Sequence, residues 1–396
     1  MATTVILGSG IIGLHQPGSS IHLVDSSPQL FASASGYAGG FVAKNWFQPS
    51  VASLGKLSFE EHRKLAEKEG GREKWGYSES VTLSLESWRH RPAGKNTEDW
   101  LLEDASRAEP VRDSEDEGES GDIPRWLRRV DGDIINVMDD GSGTAIVHFL
   151  LDKCKAAGVQ LHHPATPLRI GTDVRGELAS IRVGYTDSST ETEIPATRML
   201  LCCGAWTPQV FKRLFSDASV SIPVATLAGH SLVVKNPCDH GGIDSSHSVF
   251  CTLGDLSPEV FSRPSGLIYL SGVNSSATPL PQLATGAETV QTSLDELKAV
   301  ARRVFGLGVG EELQVVRTGL CFRPITSRGT PFLGRVGDEH LGTGVGARPG
   351  AEGGVFIATG HGPWGISLSL GTGKVMAEMM QARPLSADVS RLGLYE

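Results

Sequence analysis

The sequence predicts an α/β protein, in which a Rossmann-like dinucleotide-binding domain is intertwined with a second domain built on a mixed sheet. Three observations carry that expectation. The chain opens on a short β-branched run, Thr4-Val-Ile-Leu7, that ends in Gly8-Ser-Gly10-Ile-Ile-Gly13. A second run, Ile21-His-Leu-Val24, ends in Asp25-Ser26-Ser27. Strand, glycine turn, strand and terminal acid is the order of a dinucleotide-binding unit. Similar strand-to-glycine junctions return in the middle, at Leu200-Leu-Cys-Cys-Gly-Ala-Trp206, and near the end, at Gly353-Gly-Val-Phe-Ile-Ala358 with its following Gly360-His-Gly362. Nucleotide-type elements at start, middle and end, with other elements between, describe two interleaved domains rather than two beads on a string.

Composition sets the outer limits. A chain of 396 residues has room for two domains, and 39% hydrophobic residues are ample for packed cores. The 20% of charged residues is too little for wholesale disorder. Glycine reaches 48 residues without a Gly-X-Y period, so tight turns and close backbone approach to a ligand are the natural reading. A net charge of −9 argues against a nucleic-acid partner. No apolar run approaches the ~18–20 residues of a membrane span. The first residues show no basic, apolar or cleavage region of a signal peptide, and six cysteines include no C-x-x-C pair. A cytoplasmic protein with free thiols is expected, with no metal site.

Between the two opening strands, residues 8–20 are a short crossover broken by Pro17-Gly18, leaving room for one or two helical turns from about Ile11. Residues 58–74 read as a charged helix, and Val81 to Leu85 alternate as a strand. The acidic stretch between Glu98 and Asp122 reads as a solvated surface insertion. A helix is expected over His148 to Ala157, closed by Gly158, with a strand from Val159. Ser231–Lys235 and Gly266–Leu270 read as strands, Thr292–Phe305 as an amphipathic helix, and the closing helix runs through about Met380.

The fingerprint has a physical logic. Gly8 allows the tight turn, Gly10 the approach of a pyrophosphate, and Gly13 close packing of helix on strand. A helix N-terminus offers free N–H groups to phosphate, and Asp25 is placed to accept from a ribose hydroxyl.

Further segments fall into the register of a known family. Ala32-Ser-Ala-Ser-Gly-Tyr-Ala-Gly-Gly-Phe-Val-Ala-Lys-Asn-Trp46 resembles its small-residue loop after the second strand. Leu200–Trp206, Ser257–Gly272, Gly319-Leu-Cys-Phe-Arg-Pro-Ile-Thr-Ser-Arg-Gly-Thr-Pro-Phe-Leu-Gly334 and Ala358-Thr-Gly-His-Gly-Pro-Trp-Gly-Ile-Ser367 match in turn. The chain thus resembles the D-amino-acid oxidase, glycine oxidase and sarcosine oxidase family over residues 3 to about 392, nearest a fungal-type branch. The resemblance implies FAD, held non-covalently by Gly8, Gly10, Ile12, Gly13, Asp25, Ser26, Ser33, Ser35, Gly40, Gly204, Gly360, His361, Gly362, Gly365, Ile366 and Ser367. It implies FAD-binding segments at 1–57, 139–215 and 320–396, with a substrate domain of 58–138 and 216–319. Arg323 is implied as the arginine that grips an amino-acid carboxylate, the alternative being a structural salt bridge. For His361 the alternative is a packed loop residue, and for Ser33 and Ser35 an ordinary turn. Arg328 reads as a surface residue, while Tyr269, Lys44 and Cys321 are weaker site candidates. Departures from the family's pattern are Tyr37, where relatives carry a small or basic residue, and Pro167, which has no N–H to offer an adenine. The implied activity is oxidation of an amine or amino acid by hydride transfer to the flavin, with oxygen as acceptor. Two alternatives stay open: a secondary-amine oxidase or dehydrogenase, and a non-catalytic binding or regulatory relative with a shortened crossover.

Overall fold

The computed structural model describes residues 2–13, 20–86, 123–128, 134–143, 146–238 and 246–395. The acidic segment 98–122 and most of the crossover, 14–19, lie outside them. Three sheets organise the described residues. The first has the order β16 (Phe332–Val336), β17 (Gly354–Thr359), β10 (Arg198–Leu201), β1 (Thr4–Leu7), β2 (Ile21–Val24) and β6 (Gln160–His162). All its pairs are parallel except β16 with β17. Its central strands β1, β10 and β17 are short, apolar and largely buried on both faces, as expected for parallel strands. The parallel register of Thr4 with Ile21 is reached despite the short crossover, of which residues 11–13 form a turn closed by the Gly13 amide on the Gly10 carbonyl at 2.9 Å.

The second sheet runs β15 (Val315–Ile325), β11 (Ala225–Lys235), β14 (Leu267–Ser275), β13 (Glu259–Ser262), β12 (Ser246–Thr252), β4 (Ser78–Glu86), β5 (Ile134–Gly143) and β3 (Phe41–Ala43). It is mixed, because β12 and β4 pair in parallel within an otherwise antiparallel array. Residues 41–43, 139–143 and 320–325, expected among the FAD-binding segments, are strands of this sheet. A three-stranded antiparallel sheet, β7 (Ala165–Thr172), β8 (Leu178–Tyr185) and β9 (Glu191–Pro195), completes the set.

Helices close the faces. After the one-turn α1 (Ala34–Tyr37), α2 (Pro49–Glu69) starts at a proline, whose fixed φ suits a first helical turn, and stops at Gly70 in the left-handed region. A separate turn, α3 (Gly71–Trp75), follows. The single helix expected over 58–74 is therefore two, beginning nine residues earlier, because Pro49 and Gly70 set its ends. The helices α4 (Val147–Ala156) and α6 (Gln291–Phe305) lie near their expected places, and α5 (Thr207–Leu214) is a further helix that the sequence reading did not anticipate. Leu294, Leu297, Ala301 and Val304 of α6 pack on Leu232, Val234, Ile268 and Leu270, covering one face of the mixed sheet. The last helix, α7 (Gly365–Met380), is buried along most of its length against α2 and the first sheet. An aromatic block of Phe41, Trp46, Phe250, Phe261 and Tyr269, with neighbouring ring centroids 4.9–5.9 Å apart, ties β3 to the other face of the mixed sheet.

Candidate functional site

Four loops leave the C-terminal ends of parallel strands β1, β2, β10 and β17, and the sheet reverses its winding beside β1. Open parallel sheets bind ligands at this crevice. One cleft begins there and continues over the mixed sheet to Arg323, so it touches both halves of the fold.

At the sheet end, Gly8 adopts φ +101°, and a Cβ there would stand 2.7 Å from the Cys202 carbonyl oxygen. A Cβ on Gly13 would strike the Gly8 carbonyl. Around Gly10 only the Ser35 hydroxyl comes near, at 3.3 Å, and Gly204 has open space beside it. The first pair is closed by backbone, while the second faces the cleft. Asp25 is already engaged: one carboxylate oxygen accepts from the Ser9 amide at 2.9 Å and the Ser9 hydroxyl at 2.6 Å, the other from the Ser27 amide at 2.9 Å. It locks the glycine turn to β2 as well as lining the cleft. Ser26 donates to the Ala165 carbonyl at 3.3 Å.

The small-residue loop is anchored from two sides. Ser35 accepts from the Ile11 amide at 3.1 Å, and Ser33 from the Phe322 amide at 3.1 Å. Ser33 stands at the start of α1 but does not cap it, because its hydroxyl is turned to β15 instead. Arg317 donates to the Gly36 carbonyl at 3.1 Å and lies over the Tyr37 ring, while Arg263 donates to the Gly39 carbonyl at 2.9 Å. Tyr37 fits because Gly319 beneath it has no side chain.

The third wall is the loop before α7. His361, Gly362, Gly365 and Ile366 line the cleft, and the helix presents its N-terminal amides there. Burial holds the His361 imidazole far below its ordinary value, at about 3, so the ring is neutral at physiological pH, and it shares a 3.1 Å hydrogen bond with the Thr372 hydroxyl. Three residues of the expected set do not line the cleft. Gly13 packs as described, Gly360 turns at φ +80° against Thr326, and Ser367 bridges α7 to β3 through the Phe41 carbonyl at 3.0 Å and the Ala43 amide at 3.1 Å. Ile12 and Gly40 do line it.

Over the mixed sheet, strand register gathers a polar face. Arg323 of β15 lies opposite Leu227 of β11, Gly229 opposite Asn274 of β14, and Ser271 of β14 opposite Glu259 of β13. The Arg323 side chain crosses over Gly229, where a Cβ would collide with the guanidinium, and donates to Asn274 Oδ1 at 2.8 Å. The Tyr269 hydroxyl is its other side-chain partner. Burial opposes the charge on Arg323, but Cys321, Tyr269 and Glu259 nearby hold its pKa above the ordinary arginine value. Burial pushes the Tyr269 hydroxyl upward, with Arg323 opposing. The guanidinium is thus laid flat on the sheet by neutral partners. Sequence reading missed Asn274, Ser271, Glu259 and Gly229, because only register brings them to Arg323.

The other candidates fall elsewhere. Lys44 is exposed and outside the cleft lining. Cys321 lines the cleft beside Arg323 as a buried free thiol. Arg328 is not a free surface residue, since it donates to the Gly393 and Pro331 carbonyls at 3.0 and 2.8 Å and stacks on Phe332. Pro167 lines the cleft near Asp25. No described helix is long and apolar enough to cross a membrane.

Known proteins share this fold. Residues 3–379 match the DAO family, described as FAD dependent oxidoreductase. The chain is 26% identical over 399 residues to "Putative oxidoreductase C1F5.03c" of Schizosaccharomyces pombe, covering 95% of this chain and 93% of that protein. The crystal structure of glycine oxidase from Geobacillus kaustophilus matches with a TM-score of 0.72 at 17% identity, over 99% of this chain and 98% of that one. Iminodiacetate oxidase (IdaA) from Chelativorans sp. BNC1 matches with a TM-score of 0.70 at 18% identity, over 98% of each chain. At those identities the likeness to the two enzymes is one of fold.

Proposed function

Because the chain belongs to the DAO family of FAD dependent oxidoreductases, we propose that it holds FAD non-covalently and oxidises a small amine or amino acid in the cytoplasm, with oxygen as electron acceptor. The observation that carries this reading is the single cleft that joins the glycine turn, the α7 N-terminus and Arg323. Its residues suit the cofactor. Gly10 and Gly204 leave room for backbone-to-pyrophosphate approach, and Asp25 stands at the strand end where a ribose hydroxyl would lie. The amides at the start of α7 would face charge developing on the flavin pyrimidine, and the neutral His361 beside them adds no competing cation. Bound FAD would supply a two-electron acceptor, taking hydride from Cα–H to leave an imine for hydrolysis and passing the electrons to oxygen as peroxide.

This chain's own work is orientation. Arg323, pinned by Asn274 and Tyr269, keeps further guanidinium donors for a carboxylate and fixes where Cα lies. Leu227 and Phe261 line the cleft on the same face of the sheet as Arg323 and give it apolar walls. Purified protein is expected to show flavin absorption bands, to release the colour on acid precipitation, and to bleach anaerobically with an amine or amino acid. Colourless protein that FAD cannot reconstitute would overturn the cofactor assignment. The short crossover over residues 8–20 favours a second reading, a binding module of the same fold. Bound flavin that no amine reduces would select it.

A further inference from the structure

We propose that Glu259 receives the amino group of the substrate, so that the cleft selects a zwitterion whose carboxylate meets Arg323 and whose ammonium meets Glu259. This rests on the amine or amino-acid reading above and narrows it to one charge pattern.

Among the described residues, the carboxylates that line the cleft are Asp25 and Glu259. Asp25 stands at the sheet end, where Ser9 and Ser27 hold it. Glu259 lies at the opposite end, on the face that carries Tyr269, Ser271, Asn274 and Arg323. Arg323 starts two strands from β14, but its side chain spans β11 over Gly229 to reach Asn274. That brings the guanidinium to the strand next to the one that carries Glu259, which lies opposite Ser271, three residues along β14 from Asn274. The two charges interact electrostatically, and Glu259 helps to raise the Arg323 pKa.

The consequence follows from charge in a low-dielectric cleft. A plain carboxylate that took the outward donors of Arg323 would set a second anion beside Glu259. A plain amine drawn to Glu259 would meet the Arg323 cation. A dicarboxylate would meet like charge at Glu259 as well. Only a ligand with one carboxylate and one ammonium a short distance apart leaves neither side chain facing its own sign.

The test uses flavin-loaded protein and ligands that cannot be oxidised. 2-Aminoisobutyrate and tert-butylamine have no Cα–H, and isobutyrate and tert-butylamine lack the amine and the carboxylate of 2-aminoisobutyrate in turn. Calorimetric titration should show 2-aminoisobutyrate binding at least tenfold more tightly than either fragment. In Glu259→Gln the advantage over isobutyrate should vanish while isobutyrate itself binds no worse, and Glu259→Asp should keep part of it. Equal binding of 2-aminoisobutyrate and isobutyrate by the unmodified protein would overturn the proposal, as would an advantage that survives in Glu259→Gln. A parallel loss of isobutyrate binding would make Glu259 a structural partner of Arg323 and overturn it too. Failure of the broader reading would look different: zwitterion preference in the calorimeter, with no anaerobic bleaching by any amino acid.

Discussion

Gly229→Ala isolates the orientation of Arg323 from its charge. Gly229 does not occupy the left-handed region, so alanine fits the β11 backbone, and the sheet itself has no quarrel with the change. The difficulty is above the strand, where the new methyl would overlap Arg323 Nη1 and stand 2.7 Å from Cζ and 2.9 Å from Nη2. A guanidinium is the movable end of a long side chain, so it should swing aside rather than force the strand apart. Swinging breaks the 2.8 Å bond to Asn274 and the contact with Tyr269. A hydrogen bond to a charged group contributes about 1.5–3 kcal/mol, so loss of one well-placed carboxylate contact should weaken ligand binding about 10–150-fold. The melting temperature should fall modestly, because losing the bonds of a buried guanidinium costs more than the ~0.4–1 kcal/mol gained by restricting the unfolded chain. The assay pairs calorimetric titration of flavin-loaded protein with 2-aminoisobutyrate and a flavin absorption spectrum. Unchanged affinity in a folded, yellow Gly229→Ala protein would refute the geometry, since Arg323 would then not lie over Gly229 when it binds. The double variant with Arg323→Ala should be no weaker than Arg323→Ala alone, as expected for two changes to one interaction.

Arg323→Ala should keep the flavin spectrum and lose amino-acid turnover by a large factor; Arg323→Lys should recover only part, because an ammonium cannot reproduce a planar fork. Normal turnover in Arg323→Ala would sink the carboxylate assignment. Gly10→Val should abolish FAD binding with the fold retained, since its methyls project into the open side of the turn, beyond the Ser35 hydroxyl; equal FAD affinity in a titration would show that no pyrophosphate sits there. His361→Gln should flatten the loss of thermal stability on acidification. In the folded protein His361 stays neutral down to about 3, whereas unfolded histidine protonates near 6.5, so its contribution is complete above about pH 6.5 and is lost as the pH falls towards 3. The slope is at most about 1.4 kcal/mol per pH unit, and parallel melting curves between pH 7 and 5 for the two proteins would disprove it.

The parts of this molecule that were legible in the sequence are those whose chemistry is local. Gly8 must turn at positive φ and Gly13 must admit a carbonyl, and both needs arise within a few residues of the strand that creates them. The final glycine loop is legible for the same reason, since strand, turn and helix start are consecutive. What was not legible depends on distance along the chain. The start of α2 was missed because the early turns, from Pro49, carry little of the charge that marked the rest of the helix. Ser33 and Ser35 looked like turn or phosphate serines, but their hydroxyls accept from Phe322 and Ile11, which no local pattern announces. Arg328 looked exposed because the segment that occupies it, around Gly393, comes 65 residues later. The proposed substrate face is the extreme case. The Arg-Pro pair of β15 marks an arginine at a strand end, but its partners come from β11, β14 and β13, and a slip of one residue in any pairing would turn Gly229, Asn274 or Glu259 to the opposite face. The proposed cofactor end of the cleft is therefore written in motifs and the proposed substrate end in register. That division explains why family resemblance reaches the flavin more readily than the substrate, and why the charge of Glu259 beside Arg323 is the feature through which this chain's own specificity is best sought.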